Sequence, residues 1–161
     1  LPPIPRPGKI LCVGLNYLEH RNETGRAPTE EPVIFVRFPD SLVGHGAPLR
    51  HPGLSAEYDY EGELAVVIGR PAHRVGQAEA LSHVAGYACF NDGSVRDWQR
   101  HTSQFTPGKN FLESGAFGPA LVTADEVGDP TALTLTTRLD GQVMQQVEQL
   151  ENRIASDPVD A

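Results

Sequence analysis

Tyr58-Asp59-Tyr60-Glu61-Gly62-Glu63 runs straight into Leu64-Ala65-Val66-Val67-Ile68, and this change from acidic to apolar within one extended stretch decides how the chain is read. Glu61 and Glu63 stand at i and i+2, so on a strand both carboxylates point to the same face. Two like charges a few ångströms apart are unfavourable unless a cation, a proton or a cluster of donors neutralises them. The pattern therefore asks for a divalent metal. The unbroken apolar run that follows predicts a central strand, covered on both faces at its far end.

Outward from this stretch the chain reads as short strands and loops. Its 161 residues hold fourteen prolines and sixteen glycines, enough length for one domain with a core and a composition that favours strands over a helix bundle. The expected class is mostly β with short helices (α+β). The first eight residues carry four prolines and predict an extended or poorly ordered arm, residues 1–8. Ile10–Gly14 and Val33–Phe38 read as strands, with a polar helix over Tyr17–Thr24 and a loop over Arg26–Pro32 between them. Gln77–His83 reads as helix, Val84–Asn91 as an apolar strand, and Ser94–Arg100 as a short helix capped by Asp92 or Ser94. Leu133, Leu135, Thr137 and Leu139 alternate up to Asp140-Gly141, a hairpin signal. Val147, Leu150 and Ile154 have helical spacing, but Asp157-Pro158-Val159 is not a helix end, so the tail stays ambiguous.

Charge and composition narrow the function classes. A formal net charge of -8, with Lys and Arg scattered, argues against a nucleic-acid surface. No apolar run reaches the roughly 18 residues of a membrane span, and the first residues lack a signal-peptide layout, so the expected compartment is the cytoplasm. Cys12 and Cys89 each lie inside an apolar run and read as packing residues, with no basic neighbour or helix N-terminus to activate them. Sequence leaves a disulfide and a reactive thiol open.

Several polar residues could complete a metal site. Asp92 follows the apolar run Val84–Phe90, at the end of a buried strand that would hold it rigidly, and is the natural third ligand. Three carboxylates with open positions suit a hard cation, Mg²⁺ first, with Mn²⁺ or Ca²⁺ as alternatives. The competing reading makes Glu61 and Glu63 a solvated edge and Asp92 a helix cap. Arg96 and Gln99 follow Asp92 by four and seven residues and could hold a substrate anion from one side of a helix. Lys109, after a glycine in Pro107-Gly108-Lys109-Asn110, could add a second positive charge from a loop. For all three the competing reading is an ordinary surface position. His20 and Glu23 adjoin at i and i+3, a spacing that permits a dyad in which the carboxylate raises the basicity of the imidazole. The remaining histidines, His45, His51, His73, His83 and His101, show no ligand spacing.

Together these pieces resemble the fumarylacetoacetate hydrolase family. The resemblance is carried by Val13-Gly14-Leu15-Asn16-Tyr17 with His20 and Glu23, Pro32-Val33-Ile34-Phe35 and Asp59-Tyr60-Glu61-Gly62-Glu63-Leu64. It continues through Gly86-Tyr87, Asn91-Asp92, Arg96-Asp97-Trp98-Gln99, Gly108-Lys109 and Gly118-Pro119. It implies a mixed β-sandwich roll of the family's C-terminal-domain type, usually a homodimer, acting on small oxo-acids. Glu61, Glu63 and Asp92 would hold the metal, with Arg96, Gln99 and Lys109 near substrate and metal. His20 and Glu23 would ride on a lid that orders when substrate binds.

The implied reactions share one principle: a metal chelated by a 2-oxo acid stabilises the enolate formed when a neighbouring C–C or C–H bond breaks. Water attack on a distal carbonyl gives a β-diketone (acylpyruvate) hydrolase, loss of CO₂ a decarboxylase, and movement of a proton alone a tautomerase or isomerase. Family members continue for about another 60 to 80 residues past the hairpin, an ordinary length within such a domain, with a Pro-Gly-Asp turn and a Gly-Thr-Pro loop. This sequence has neither. The resemblance thus implies a single catalytic domain over residues 1–161 that lacks a segment between 146 and 147, or else a truncated, non-catalytic relative.

Overall fold

The computed structural model describes residues 1–14 and 31–148. The helix expected over Tyr17–Thr24, the His20 and Glu23 pair on it, and the tail beyond residue 148 lie outside the described residues.

In chain order the strands are β1 (Leu11–Gly14), β2 (Val33–Val36), β3 (Leu42–Gly44), β4 (Tyr58–Asp59), β5 (Gly62–Ile68) and β6 (Val84–Asn91). They continue with β7 (Ser94–Val95), β8 (Gly115–Phe117), β9 (Val122–Thr123), β10 (Thr134–Leu139) and β11 (Gln142–Glu148). Helices among the described residues are single turns, as at Arg96–Gln99 and Thr106–Lys109. None is long and apolar enough to cross a membrane. The strand-rich class expected from the prolines, glycines and short β-branched runs is what forms.

The described residues divide into two compact units, one of 1–14, 34–65 and 88–121, the other of 31–33, 66–87 and 122–148. In the first, β3 runs parallel to β8, with Leu42 opposite Gly115, and β8 runs antiparallel to β6, with Phe90 opposite Phe117. β4 pairs with β7, placing Tyr58 opposite Val95 and Asp59 opposite Ser94. The buried apolar residues of this unit are Phe35, Ala88, Val95 and Phe117. Alongside them, Arg37, Ser41, Asp92, Ser94, Lys109 and Ser114 are equally well buried. Its interior is therefore as polar as it is apolar, which requires every one of those groups to be partnered.

β2 explains how an arginine gets inside. Its alternation turns Phe35 inward and leaves Ile34 57% exposed, and Arg37 follows in the phase of Phe35. Asn110 ties the strand down: Phe38 N–H donates to its side-chain oxygen at 2.7 Å, and its amide donates to the carbonyls of Val36 and Thr106 at 2.9 and 3.0 Å. Phe35 meets Phe105 edge to face at 5.8 Å. The turn that carries Lys109 is thereby fixed against β2.

In the second unit, Gln77–Ala80 and Leu81–His83 form the short helical stretch the sequence predicts. β9 pairs with the first half of β6, Gly86 opposite Thr123. β10 and β11 form the expected hairpin, with Leu135 opposite Val147 and a bulge after Thr137. Asp140 and Gly141 take φ of 51° and 80° at its turn, the paired positive angles that a two-residue hairpin requires. β11 passes through residues 146 and 147 without interruption.

Three expectations are corrected. Among the described residues β5 ends the strand order β3-β8-β6-β5 instead of lying inside it, and Val66 and Ile68 are 45% and 60% exposed. Continuous apolar sequence hid an alternation that burial reveals. Cys89 is exposed on β6, whereas Cys12 is half-buried as a packing residue should be; both are free thiols. Neither Asp92 nor Ser94 caps the helix Arg96–Gln99, whose N-cap is Val95 without a side-chain bond. In the proline-rich arm, the backbone of Leu1 lies so close to Gly44 that a Cβ there would strike it.

Gly93 is held to the same standard, since a Cβ would collide with the Ser114 carbonyl and approach the Tyr58 hydroxyl at 2.9 Å. Gly93→Ala should cost about 1–3 kcal/mol in urea unfolding. Gly76→Ala, where a Cβ meets nothing within 4 Å, should stay within about 0.5 kcal/mol. Equal stability of the two variants would contradict this packing.

Candidate functional site

The end of β6 and the start of β5 bring the key carboxylates together. Asp92 N–H donates to the Glu61 carbonyl at 2.9 Å, and Glu61 N–H donates to the Asn91 side-chain oxygen at 3.1 Å. Into the space between them reaches Lys109, whose Nζ donates to Glu61 Oε2 at 2.7 Å and Asp92 Oδ2 at 2.6 Å. It also lies 5.1 Å from the centre of the Phe35 ring. Lys109 sits at the end of a helical turn and is 1% exposed, so the loop expected for it and its reading as a surface charge are both corrected.

Opposite Lys109, Arg37 grips the other oxygen of Asp92. Its Nη1 donates to Asp92 Oδ1 at 2.6 Å and to the Gly93 carbonyl at 3.1 Å. Nε and Nη2 donate to Ser41 Oγ at 3.1 Å, the Ser41 carbonyl at 3.3 Å and Ser114 Oγ at 2.9 Å. Tyr58 donates its hydroxyl to the Ser114 carbonyl at 2.6 Å. Burial raises the Tyr58 pKa, against a smaller opposing pull from Arg37, so it stays a donor.

Arg96 closes the site on the other flank. Nη1 donates to Glu61 Oε1 and, at 3.0 Å, to Gln99 Oε1; Nε and Nη2 donate to Asp59 Oδ2 at 2.9 and 2.7 Å. The Arg96–Gln99 bond realises the common helix side the spacing predicts. Ser94 Oγ lies 3.0 Å from Glu61 Oε1 and 2.8 Å from the Asp92 carbonyl. For Glu61, burial is the largest single influence and raises the pKa, but Lys109 and Arg96 together outweigh it and hold the carboxyl below its ordinary value. Its folded value thus lies below the unfolded one, so these contacts stabilise fully above the unfolded value and are lost as pH falls through the folded one. The Cys12 thiol is pushed up to about 12 by burial first and by the charge of Asp92 second, and is inert at neutral pH.

The structure thus gathers Glu61, Asp92, Arg96, Gln99 and Lys109. Glu63, half-buried at the start of β5, stands near enough to Cys12 for its charge to act on the thiol. Among the described residues no three His, Cys, Asp or Glu side chains stand together as a ligand set. The fit to a cation rests on two buried carboxylate oxygens, Glu61 Oε2 and Asp92 Oδ2, already converging on one positive charge. Such hard oxygens suit Mg²⁺ or Mn²⁺. Sequence reasoning missed Arg37, Ser41, Asp59, Ser94 and Ser114. For Arg37 a signal existed: it is an arginine in phase with the inward Phe35.

Comparison with known proteins gives the family. Residues 9–155 match the family model described as fumarylacetoacetate (FAA) hydrolase C-terminal. Human mitochondrial oxaloacetate tautomerase FAHD2A is 43% identical over 147 residues, 90% of this chain and 47% of its own length. The chain spans about half the length of the curated relatives it matches. Among solved structures, a fumarylacetoacetate hydrolase from Exiguobacterium antarcticum superposes with a TM-score of 0.83 at 36% identity, over 96% of this chain and 57% of that one. Fumarylpyruvate hydrolase from Pseudomonas aeruginosa, in complex with Mn²⁺ and pyruvate, gives a TM-score of 0.78 at 30% identity, over 91% and 69%. On the extent of the family match and the identity to these relatives, the chain belongs to the fumarylacetoacetate hydrolase family.

Proposed function

We propose that the chain provides the cation and anion site of an enzyme acting on small 2-oxo acids through their enolates. The observation that carries this reading is the convergence of Glu61 Oε2 and Asp92 Oδ2 on Lys109 Nζ, at 2.7 and 2.6 Å, in a buried setting. Glu61 and Asp92, with Glu63 as third ligand, would hold Mg²⁺, with Mn²⁺ as its substitute. Bound there, such an ion supplies Lewis-acid stabilisation of the negative charge that develops on the 2-oxo oxygen.

The chain's own residues account for the rest. Lys109 keeps a positive charge beside the site in a place shielded from water, where it acts more strongly on a developing oxyanion than it would in solvent. Arg96 and Gln99 orient the substrate carboxylate, with Asp59 holding the guanidinium in place. His20, paired with Glu23, takes or returns the proton at the substrate carbon. In tautomerisation the proton leaves that carbon as one arrives on the oxygen. The greater similarity to an oxaloacetate tautomerase favours this outcome for a small oxo-diacid. The second reading is hydrolysis of an acylpyruvate, supported by likeness to the two hydrolases: His20 activates water, the C–C bond breaks, and the enolate takes up a proton.

We further propose a homodimer, since Leu11 on β1 and Ile34 on β2 are 61% and 57% exposed; a monomer by sedimentation equilibrium would remove this. For compartment, the name of the human relative says mitochondrial.

With Mg²⁺ and oxaloacetate, enol–keto interconversion should accelerate without pyruvate appearing. Pyruvate with a second carboxylic acid from acylpyruvates would favour the hydrolase, and pyruvate with CO₂ a decarboxylase. Glu61→Gln should abolish Mg²⁺ binding by calorimetry and turnover together; full activity in that variant would sink the metal assignment. His20→Ala should leave metal binding intact while turnover falls about 10²-fold or more, and unchanged turnover would remove His20 from the mechanism.

A further inference from the structure

We infer that Arg37 makes the cation site selective for small six-coordinate ions over Ca²⁺, by limiting Asp92 to one available oxygen. The inference rests on the metal role of Glu61 and Asp92 proposed above and concerns a residue that role does not itself require. An arginine carries five N–H donors. All five are used here: on Ser41 Oγ and its carbonyl, Ser114 Oγ, the Gly93 carbonyl and Asp92 Oδ1. A planar fork held at five points cannot swing away from Oδ1 without leaving buried donors unpaired. Nor is there room to slide: a Cβ on Gly115 would already stand 2.7 Å from Nη2.

Asp92 therefore offers only Oδ2, the oxygen 2.6 Å from Lys109 Nζ. Glu61 is arranged alike, with Oε1 taken by Arg96 and Ser94 and only Oε2 facing Lys109. The two clamps differ in permanence. The Arg37 and Asp92 side chains are 0% and 4% exposed, against 17% and 45% for Arg96 and the Asp59 that holds it. Ca²⁺ fills a shell of about six to eight oxygens partly through bidentate carboxylates, whereas Mg²⁺ demands an octahedron of single oxygens. A carboxylate confined to one oxygen suits the second ion and deprives the first of a ligand.

Binding of Mg²⁺, Mn²⁺ and Ca²⁺ alone, measured by calorimetry, tests this on wild type, Arg37→Met and Arg37→Lys. Losing the positive charge favours every divalent ion alike and cancels in the ratio of Ca²⁺ to Mg²⁺ affinity, as does any general loosening of the site. Wild type should prefer Mg²⁺ and Mn²⁺, and the ratio should rise about tenfold or more in Arg37→Met. Arg37→Lys keeps the charge on a side chain of shorter reach without the fork; its ratio should rise too, and it carries the test if the Met variant fails to fold by circular dichroism. An unchanged ratio in a folded variant whose Mg²⁺ binding still depends on Glu61 overturns this inference alone. Wild type that binds none of the three ions overturns it together with the proposed function.

Discussion

The interaction on which the first unit depends is the buried triplet in which Arg37 and Lys109 hold the two oxygens of Asp92, each at 2.6 Å. Removing charges from water costs several kcal/mol per ion, and attraction between them offsets this only when geometry is good and remaining donors are satisfied. Here they are: Ser41, Ser114, Gly93 and Glu61 take up the other N–H groups of the two cations. The apolar part of this interior is small, formed by Phe35, Ala88, Val95 and Phe117. Stability and site are accordingly the same set of contacts. Loss of one partner would leave a buried charge uncompensated, at a cost of about 3–5 kcal/mol.

This explains why glycine appears where it does. Gly93 passes beneath the Ser114 carbonyl and Gly115 beneath the Arg37 guanidinium, each with no room for a Cβ. The backbone must approach closely for the fork to reach Asp92. It also explains the division of labour among the cations: Arg37 has no function left except to hold, while Lys109 and Arg96 border the carboxylate oxygens that a cation and an oxo-acid would use.

How much of this was legible in the sequence depended on range. β6, the helical stretch over 77–83 and the Asp140-Gly141 hairpin are local patterns, and they formed where the sequence placed them. Glu61 and Asp92 were legible because each borders a readable strand, and Arg96, Gln99 and Lys109 joined them through the family resemblance. Arg37 was missed although its phase with Phe35 was readable, because its partner Asp92 lies 55 residues away. Ser41 and Ser114 matter only through that arginine. Lys109 read as a loop residue because Pro107-Gly108 signals a turn; the turn is helical, and the contact that buries Lys109 is with residues 17 and 48 positions distant. The exposure of Val66, Ile68 and Cys89 was hidden for a related reason, since composition says that a strand is apolar and not which face is covered.

The most direct test of the central claim, that Glu61 and Asp92 form a divalent-cation site, is the anomalous difference map of a crystal grown with Mn²⁺. The account predicts a single strong peak about 2.1 Å from Glu61 Oε2 and Asp92 Oδ2, with Arg37 still on Asp92 Oδ1. A map without a peak there, or with Mn²⁺ bound only elsewhere, would contradict it.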